Sequence, residues 1–207
     1  MRKVIVTNIV SLDGYYADPD GNPLALNMDS AFDAYNLERM RSAGTILLGR
    51  RSFEMFSSYW PMIADAPEDP NNRALSAVNR EFSRRYNDIP KLVVSDGLEE
   101  VPPANPWHDT TEVVPRATIA TRLRAERADA GGDIAVFASR TLWNTLLSDG
   151  VLDELHLVIG PAAIGAGIPL FDAPAELALI DGHRLDGSDN ALLRYAAARP
   201  VDPSGTR

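Results

Sequence analysis

The chain alternates between short apolar runs without internal alternation and longer stretches with helical spacing. Ile134 to Ala138 is one such run, and an unbroken apolar segment of this length suits a strand covered on both faces. Behind it, Leu142, Trp143, Leu146 and Leu147 recur on one helical face, and Gly150 stands where a helix end favours positive φ. Leu155 to Ile159 resumes a strand. The spacing over Asp133 to Phe171 therefore predicts a strand, a helix and a second strand, with the two strands parallel neighbours. Lys3 to Val10, Thr45 to Gly49, Lys91 to Ser95 and Glu112 to Val114 read as further strands. Helices are expected from Asp29 or Ser30 to about Gly44, directly after Gly49, from Arg73 to Tyr86, and from Ile119 to Ala130. Leu177 to Leu185 and Ala191 to Ala197, separated by Asp186 to Asn190, read as a terminal antiparallel hairpin.

The breaks are as informative as the runs. Ser11 to Gly14 interrupts the first strand with turn residues, and Asp18 to Pro23 is dense enough in turn formers to predict a mobile surface loop. From Ser57 to Asp88 the pattern loosens around Tyr59-Trp60-Pro61 and the polar stretch Pro67 to Asn72. That predicts an insertion, able to close as a lid. Residues 1–198 are expected to form one domain and 199–207 a frayed tail.

Composition narrows the function. A net charge of −9 without a basic run argues against nucleic acid or an anionic membrane as partner, since both demand clustered Lys and Arg. Small molecules remain. No segment reaches membrane-spanning length, and the run Val4 to Val10 is too short for a signal peptide, so a cytoplasmic location is expected. The absence of cysteine removes disulfides, thiol nucleophiles and Cys-containing zinc sites. His108, His156 and His183 show no ligand spacing, so no metal is expected.

Two strand-to-helix junctions have the chemistry of anion sites. At Ala138 to Thr141 the chain leaves a strand and opens a helix, where unpaired N–H groups and the positive end of the helix dipole favour a phosphate. At Gly49-Arg50-Arg51-Ser52 a glycine permits close backbone approach, two arginines supply charge, and Ser52 can cap the helix or donate to an anion. Either could equally be a plain crossover or a capped helix with two solvated arginines.

Ser11-Leu12-Asp13-Gly14-Tyr15, Leu48-Gly49-Arg50-Arg51-Ser52-Phe53-Glu54-Met55, Tyr59-Trp60-Pro61, Lys91-Leu92-Val93-Val94-Ser95 and Asp153-Glu154-Leu155-His156-Leu157 occur in that order. With them the chain, over about Lys3 to Ala197, resembles the dihydrofolate reductase-like superfamily, in the branch related to the reductase domain of riboflavin biosynthesis. The resemblance implies an α/β fold: a twisted, mostly parallel sheet flanked by helices, with a C-terminal antiparallel hairpin. It also implies a homodimer and hydride transfer from NADPH to a pteridine-like or pyrimidine-like heterocycle. Carried onto this sequence, Gly49, Arg50, Arg51 and Ser52, with Ser95 nearby, would surround the adenosine phosphates. Ala138, Ser139, Arg140, Thr141 and Leu142 would receive the pyrophosphate. Ile9, Asp13 and Tyr16 would border the nicotinamide and the substrate, and Asp33, on the first helix, would be the proton donor.

Two departures from the family pattern bear on this. Relatives have a Gly-Ser-Gly-like pyrophosphate turn, whereas Ala138-Ser139-Arg140 adds a methyl group and a cation. Asp96, after Ser95, would repel a 2′-phosphate and leaves NADH open as the cofactor. Both departures also suit an alternative, a non-catalytic nucleotide- or flavin-binding protein that kept the fold.

Overall fold

A computed structural model describes residues 1–197, so the expected tail at 199–207 lies outside the described residues. The strands are β1 (Val4–Val10), β2 (Tyr15–Ala17), β3 (Ala43–Gly49), β4 (Lys91–Val94), β5 (Thr111–Val114), β6 (Asp133–Phe137), β7 (Glu154–Ile159), β8 (Ile168–Pro169), β9 (Leu177–Arg184) and β10 (Ala191–Ala197). The helices are α1 (Ser30–Ser42), α2 (Arg50–Ile63), α3 (Ala77–Asp88), α4 (Arg116–Glu126) and α5 (Arg140–Ser148). Eight strands form one sheet in the order β5-β4-β3-β6-β1-β7-β10-β9, parallel except for the C-terminal pair. The hairpin of β9 and β10 extends this sheet, while β2 and β8 form a separate antiparallel ribbon.

Alternation within each buried strand sorts side chains onto two covered faces. Leu47, Ile134 and Val136 face α4 and α5, where Leu123, Leu142, Trp143 and Leu146 pack. Ile46, Leu48, Ala135 and Phe137 face α1, α2 and α3. Helix ends follow local chemistry. Asp29 accepts the Phe32 N–H at 3.0 Å to start α1, Ser76 accepts the Asn79 N–H at 3.2 Å to start α3, and Gly150 takes φ 63° after α5.

The structure corrects the sequence reading in three places. First, β6 and β7 are not neighbours. β1 lies between them, pairing Val4–Thr7 with Ile134–Phe137 on one side and Ile5–Val10 with Glu154–Ile159 on the other. Its seven residues are all buried, which makes it the strand best suited to the centre. Second, the two ends of the loosened region at 57–88 are helical and pack on the core, while the stretch from Asp65 to Arg73 between them is mostly exposed. α2 runs on through Pro61 to Ile63, because a proline in the last turn removes a single helical hydrogen bond. Trp60 then meets Phe82 at 4.7 Å, and Phe82 meets Phe137 at 5.5 Å between ring centroids. Third, the helix expected from Arg73 begins at Ala77, after a separate 3-10 turn at Arg73–Leu75.

Candidate active site at the carboxyl edge of the sheet

The parallel strands deliver β3 into α2 and β6 into α5 side by side, so two helix N-termini open at the carboxyl edge. Between them lies a cleft of about 520 Å³. Its two corners are tied by a reciprocal pair of hydrogen bonds. The Gly49 N–H donates to Ser139 Oγ at 3.1 Å, and the Ser139 N–H donates to Ser52 Oγ at 3.1 Å. Ser52 therefore braces the neighbouring corner, and neither it nor Ser139 caps its own helix. Ala138 and Ser139 both take left-handed backbone, φ 50° and 53°. Side chains there cost about 1–2 kcal/mol each, which is why a glycine suits this turn.

The cleft fits a phosphorylated nucleotide on its own geometry. A Cβ added at Gly49 would meet only the Leu142 Cβ, at 3.8 Å, so the room that glycine leaves belongs to the cleft. Four arginines stand in the wall: Arg50, Arg51, Arg116 and Arg140. Three are held by acids of the protein. Arg50 pairs with Glu54 at 2.7 Å and donates to the Gly97 carbonyl at 2.8 Å. Arg116 pairs with Asp96 at 3.4 Å, and Arg140 with Asp172 at 2.6 Å while also bonding the Pro169 carbonyl. Arg51 has no acidic partner among the described residues and lies beside Gly21, 3.6 Å from where a Cβ would be. It is the wall's available charge.

The expected residues divide accordingly. Gly49, Arg50, Arg51, Ser52, Ser139, Arg140, Thr141, Leu142 and Tyr16 come together around the cleft. Burial pushes the Tyr16 phenol up to about 12, outweighing the opposite pull of Arg140 and Arg51, so it keeps its proton at neutral pH. Ala138 acts through the turn it shapes.

Ser95, Ile9, Asp13 and Asp33 are not in the wall. Ser95 Oγ accepts the Gly97 and Leu98 N–H groups at 3.2 and 3.0 Å, folding the turn that Arg50 touches. Ile9 is buried with Tyr35, Val158 and Leu192. Asp13 accepts from the Ser11 hydroxyl at 2.6 Å and from the Ile164 and Gly165 N–H groups at 3.1 and 2.7 Å, tying the loop before β2 to the loop before β8. The Ser11 hydroxyl leads in holding its carboxyl below the usual range. Asp33 is engaged by Arg73 and by Asn79 Nδ2, the latter at 2.9 Å. Burial raises its pKa against the pull of both, and its carboxylate bridges α1 to Arg73, before α3, and to Asn79, within it.

Asp96, expected to repel a 2′-phosphate, pairs with Arg116 at the surface and accepts its backbone N–H at 2.9 Å. Arg116 itself was missed, although Val114-Pro115-Arg116 is a third strand-to-helix junction of the same kind. Gly21, Pro23 and Ile168 also line the cleft. They were hidden in a loop rich in turn formers and in a two-residue strand too short to show a period.

A second cleft, about 750 Å³, lies at the opposite, amino edge. Its arginines are paired: Arg122 with Glu112 and Glu126 at 2.9 and 2.7 Å, and Arg2 with Glu126 at 3.3 Å. Burial lowers Lys91 there to about 7, yet its ammonium has three acceptors, the Ile89 and Asn87 carbonyls and Thr110 Oγ1, at 2.8, 3.3 and 2.9 Å. It closes the end of α3. Open α/β sheets bind ligands at the carboxyl edge, so the smaller cleft is the better candidate.

Residues 2–190 match the family model of the RibD C-terminal domain. The chain belongs to that family. Its fold is dihydrofolate reductase-like. It is 26% identical over 170 residues to the uncharacterized protein YyaP of Bacillus subtilis (strain 168), covering 82% of this chain and 80% of that one. Among solved structures, it resembles a putative riboflavin biosynthesis protein from Shewanella sp. PV-4, with a TM-score of 0.64 and 21% identity over 95% of this chain and 99% of the other. It also resembles a diaminohydroxyphosphoribosylaminopyrimidine deaminase/5-amino-6-(5-phosphoribosylamino)uracil reductase from Thermotoga maritima, with a TM-score of 0.62 and 15% identity. There it covers 95% of its own length and 57% of that protein. The chain thus spans little more than half of that relative's length.

Proposed function

We propose that this protein is an NADPH-dependent reductase of a pteridine-like or pyrimidine-like heterocycle. The observation that carries the reading is the cleft between the N-termini of α2 and α5, lined by Arg51, which has no acidic partner among the described residues. Membership of the RibD C-terminal domain family and the likeness to a uracil-derivative reductase support it. The backbone N–H groups that open the two helices, together with Arg51 and Thr141, would hold the phosphates. When bound, NADPH supplies a hydride. Tyr16, protonated across the physiological range, would offer an O–H to an electron-rich atom of the substrate, and water at the open mouth would deliver the proton that completes a two-electron reduction. The brace between Ser52 and Ser139 fixes the distance between the corners, and alignment is most of what hydride transfer asks of a protein. The Arg116–Asp96 pair, which sets a cation beside the carboxylate, supports NADPH over NADH.

A homodimer in the cytoplasm accompanies this reading, supported by family resemblance and by the exposed Leu179 and Ile180 on the outer strand β9. Among the described residues no helix is long and apolar enough to cross a membrane. Calorimetric titration with NADPH tests the assignment. Arg51→Ala is expected to weaken binding about tenfold, the worth of one charge-assisted contact, while Arg122→Ala in the amino-edge cleft leaves it unchanged. The reverse pattern would move the site to the other edge.

A further inference from the structure

Exposed apolar side chains gather where the cleft opens. On α2, Met55, Tyr59 and Met62 are 50%, 40% and 68% exposed, and their i, i+4, i+7 spacing places them on one face. Met55 is part of the cleft wall, so that face continues from the site itself. The loop side repeats the order: Pro23 is in the wall, and Leu24, next in sequence, is 78% exposed. Met55 to Met62 spans about 10 Å at 1.5 Å per residue, the length of an aromatic ring and its linker. Tyr59 is braced by Trp60 at 5.1 Å, ring edge to face. Arg73, the cation felt most by Tyr59, is engaged by Asp33.

On the reductase reading above, we infer that the outer face of α2 is a substrate shelf, and that the heterocycle reduced here carries an aryl or alkyl substituent in place of a sugar phosphate. A sugar phosphate calls for charge-assisted donors, whereas beyond Glu54, which pairs with Arg50, this face offers Met55, Ser58, Tyr59 and Met62, with the Ser58 hydroxyl turned back onto the Met55 carbonyl. Methionine adapts its shape to apolar groups and makes favourable contacts with aromatic rings. Contiguous exposed apolar surface at a cleft marks a place where something is bound. Arg51 sets the polarity, with anionic groups held at the helix N-terminus and apolar ones carried outward along the helix.

The test is calorimetry on the protein saturated with NADP+, which fills the phosphate corners without turnover, using 6-phenylpterin, 6-hydroxymethylpterin and uridine 5′-monophosphate. The expected order places 6-phenylpterin about tenfold tighter than 6-hydroxymethylpterin, the effect of burying a ring face, with the phosphorylated nucleotide weakest. Tyr59→Ser combined with Met62→Ser, both on the exposed surface, should reduce the pterin preference to within about twofold and leave NADP+ affinity as it was. Equal affinity for the two pterins, no binding of either, or preference for the nucleotide would overturn the shelf while the reductase reading stands on NADP+ binding. Failure to bind NADP+ would remove both. Conversion of a dimer to a monomer by the same two substitutions, with the pterin preference unmoved, would assign the face to a second copy and overturn the inference.

Discussion

His156 is fully buried between two partners: the Tyr35 hydroxyl lies 2.7 Å from Nδ1 and Glu154 Oε2 lies 2.8 Å from Nε2. A neutral ring satisfies both when Nε2–H donates to Glu154 and Nδ1 accepts from Tyr35. Burial disfavours the imidazolium and lowers the pKa from its ordinary 6.5, although Glu154 pulls the other way. The unfolded chain then takes up the proton first, so the stabilisation is complete above about 6.5 and is lost as pH falls toward the folded value. The Tm should decline across that window, and His156→Gln should flatten the decline, as a thermal series at several pH values would show. For Asp33, the bridge to Arg73 and Asn79 predicts that Asp33→Ala, which takes the acceptor from both donors, lowers the Tm while NADPH affinity is unchanged. At this scale the sequence singled out Gly49, Arg51 and Ser139 because a strand-to-helix junction is a local pattern, and the structure brings the three to one cleft. For Asp33 and Asp13, also singled out, the hydrogen-bond partners were not legible. Their partners are Arg73, 40 residues away, and Ile164 and Gly165, more than 150 away, and only the fold decides which donor a carboxylate meets.

The turn between β6 and α5 holds two consecutive non-glycine residues in left-handed backbone. Ala138→Gly should relieve the strain and raise stability by up to about 1 kcal/mol, net of the flexibility that glycine adds to the unfolded chain. Ser139→Ala should lower it by about 1–2 kcal/mol, since the Gly49 N–H loses its acceptor. Denaturant titrations of both variants distinguish strain from bracing. Most elements were legible because apolar periodicity reports directly on a covered face, and β1, β3, β4, β6 and α5 are all strongly patterned. β2 and β8 were not, since three and two residues cannot display an alternation. α2 was expected only over its first turns because the pattern loosens from Ser57, whereas the burial of Ser57 and Ile63 carries the helix on through Pro61.

For the whole molecule, strand order was the least legible property. The connection through α5 shows that β6 and β7 run parallel, but nothing local records that a strand from the other end of the chain enters between them. On the outer strand, Leu179 is 60% exposed. If the proposed dimer forms through this edge, Leu179→Asp should halve the mass seen by light scattering and leave the far-ultraviolet dichroism unchanged.

The position of β1 has a consequence for how the chain reaches this state. Its partners in β6 and β7 lie about 130 and 150 residues further along. Until both have been made, a strongly apolar segment has no slot to occupy. Closing loops of that length delays assembly, so nascent chains ending before residue 150 should be captured by holding chaperones and released once β7 has emerged.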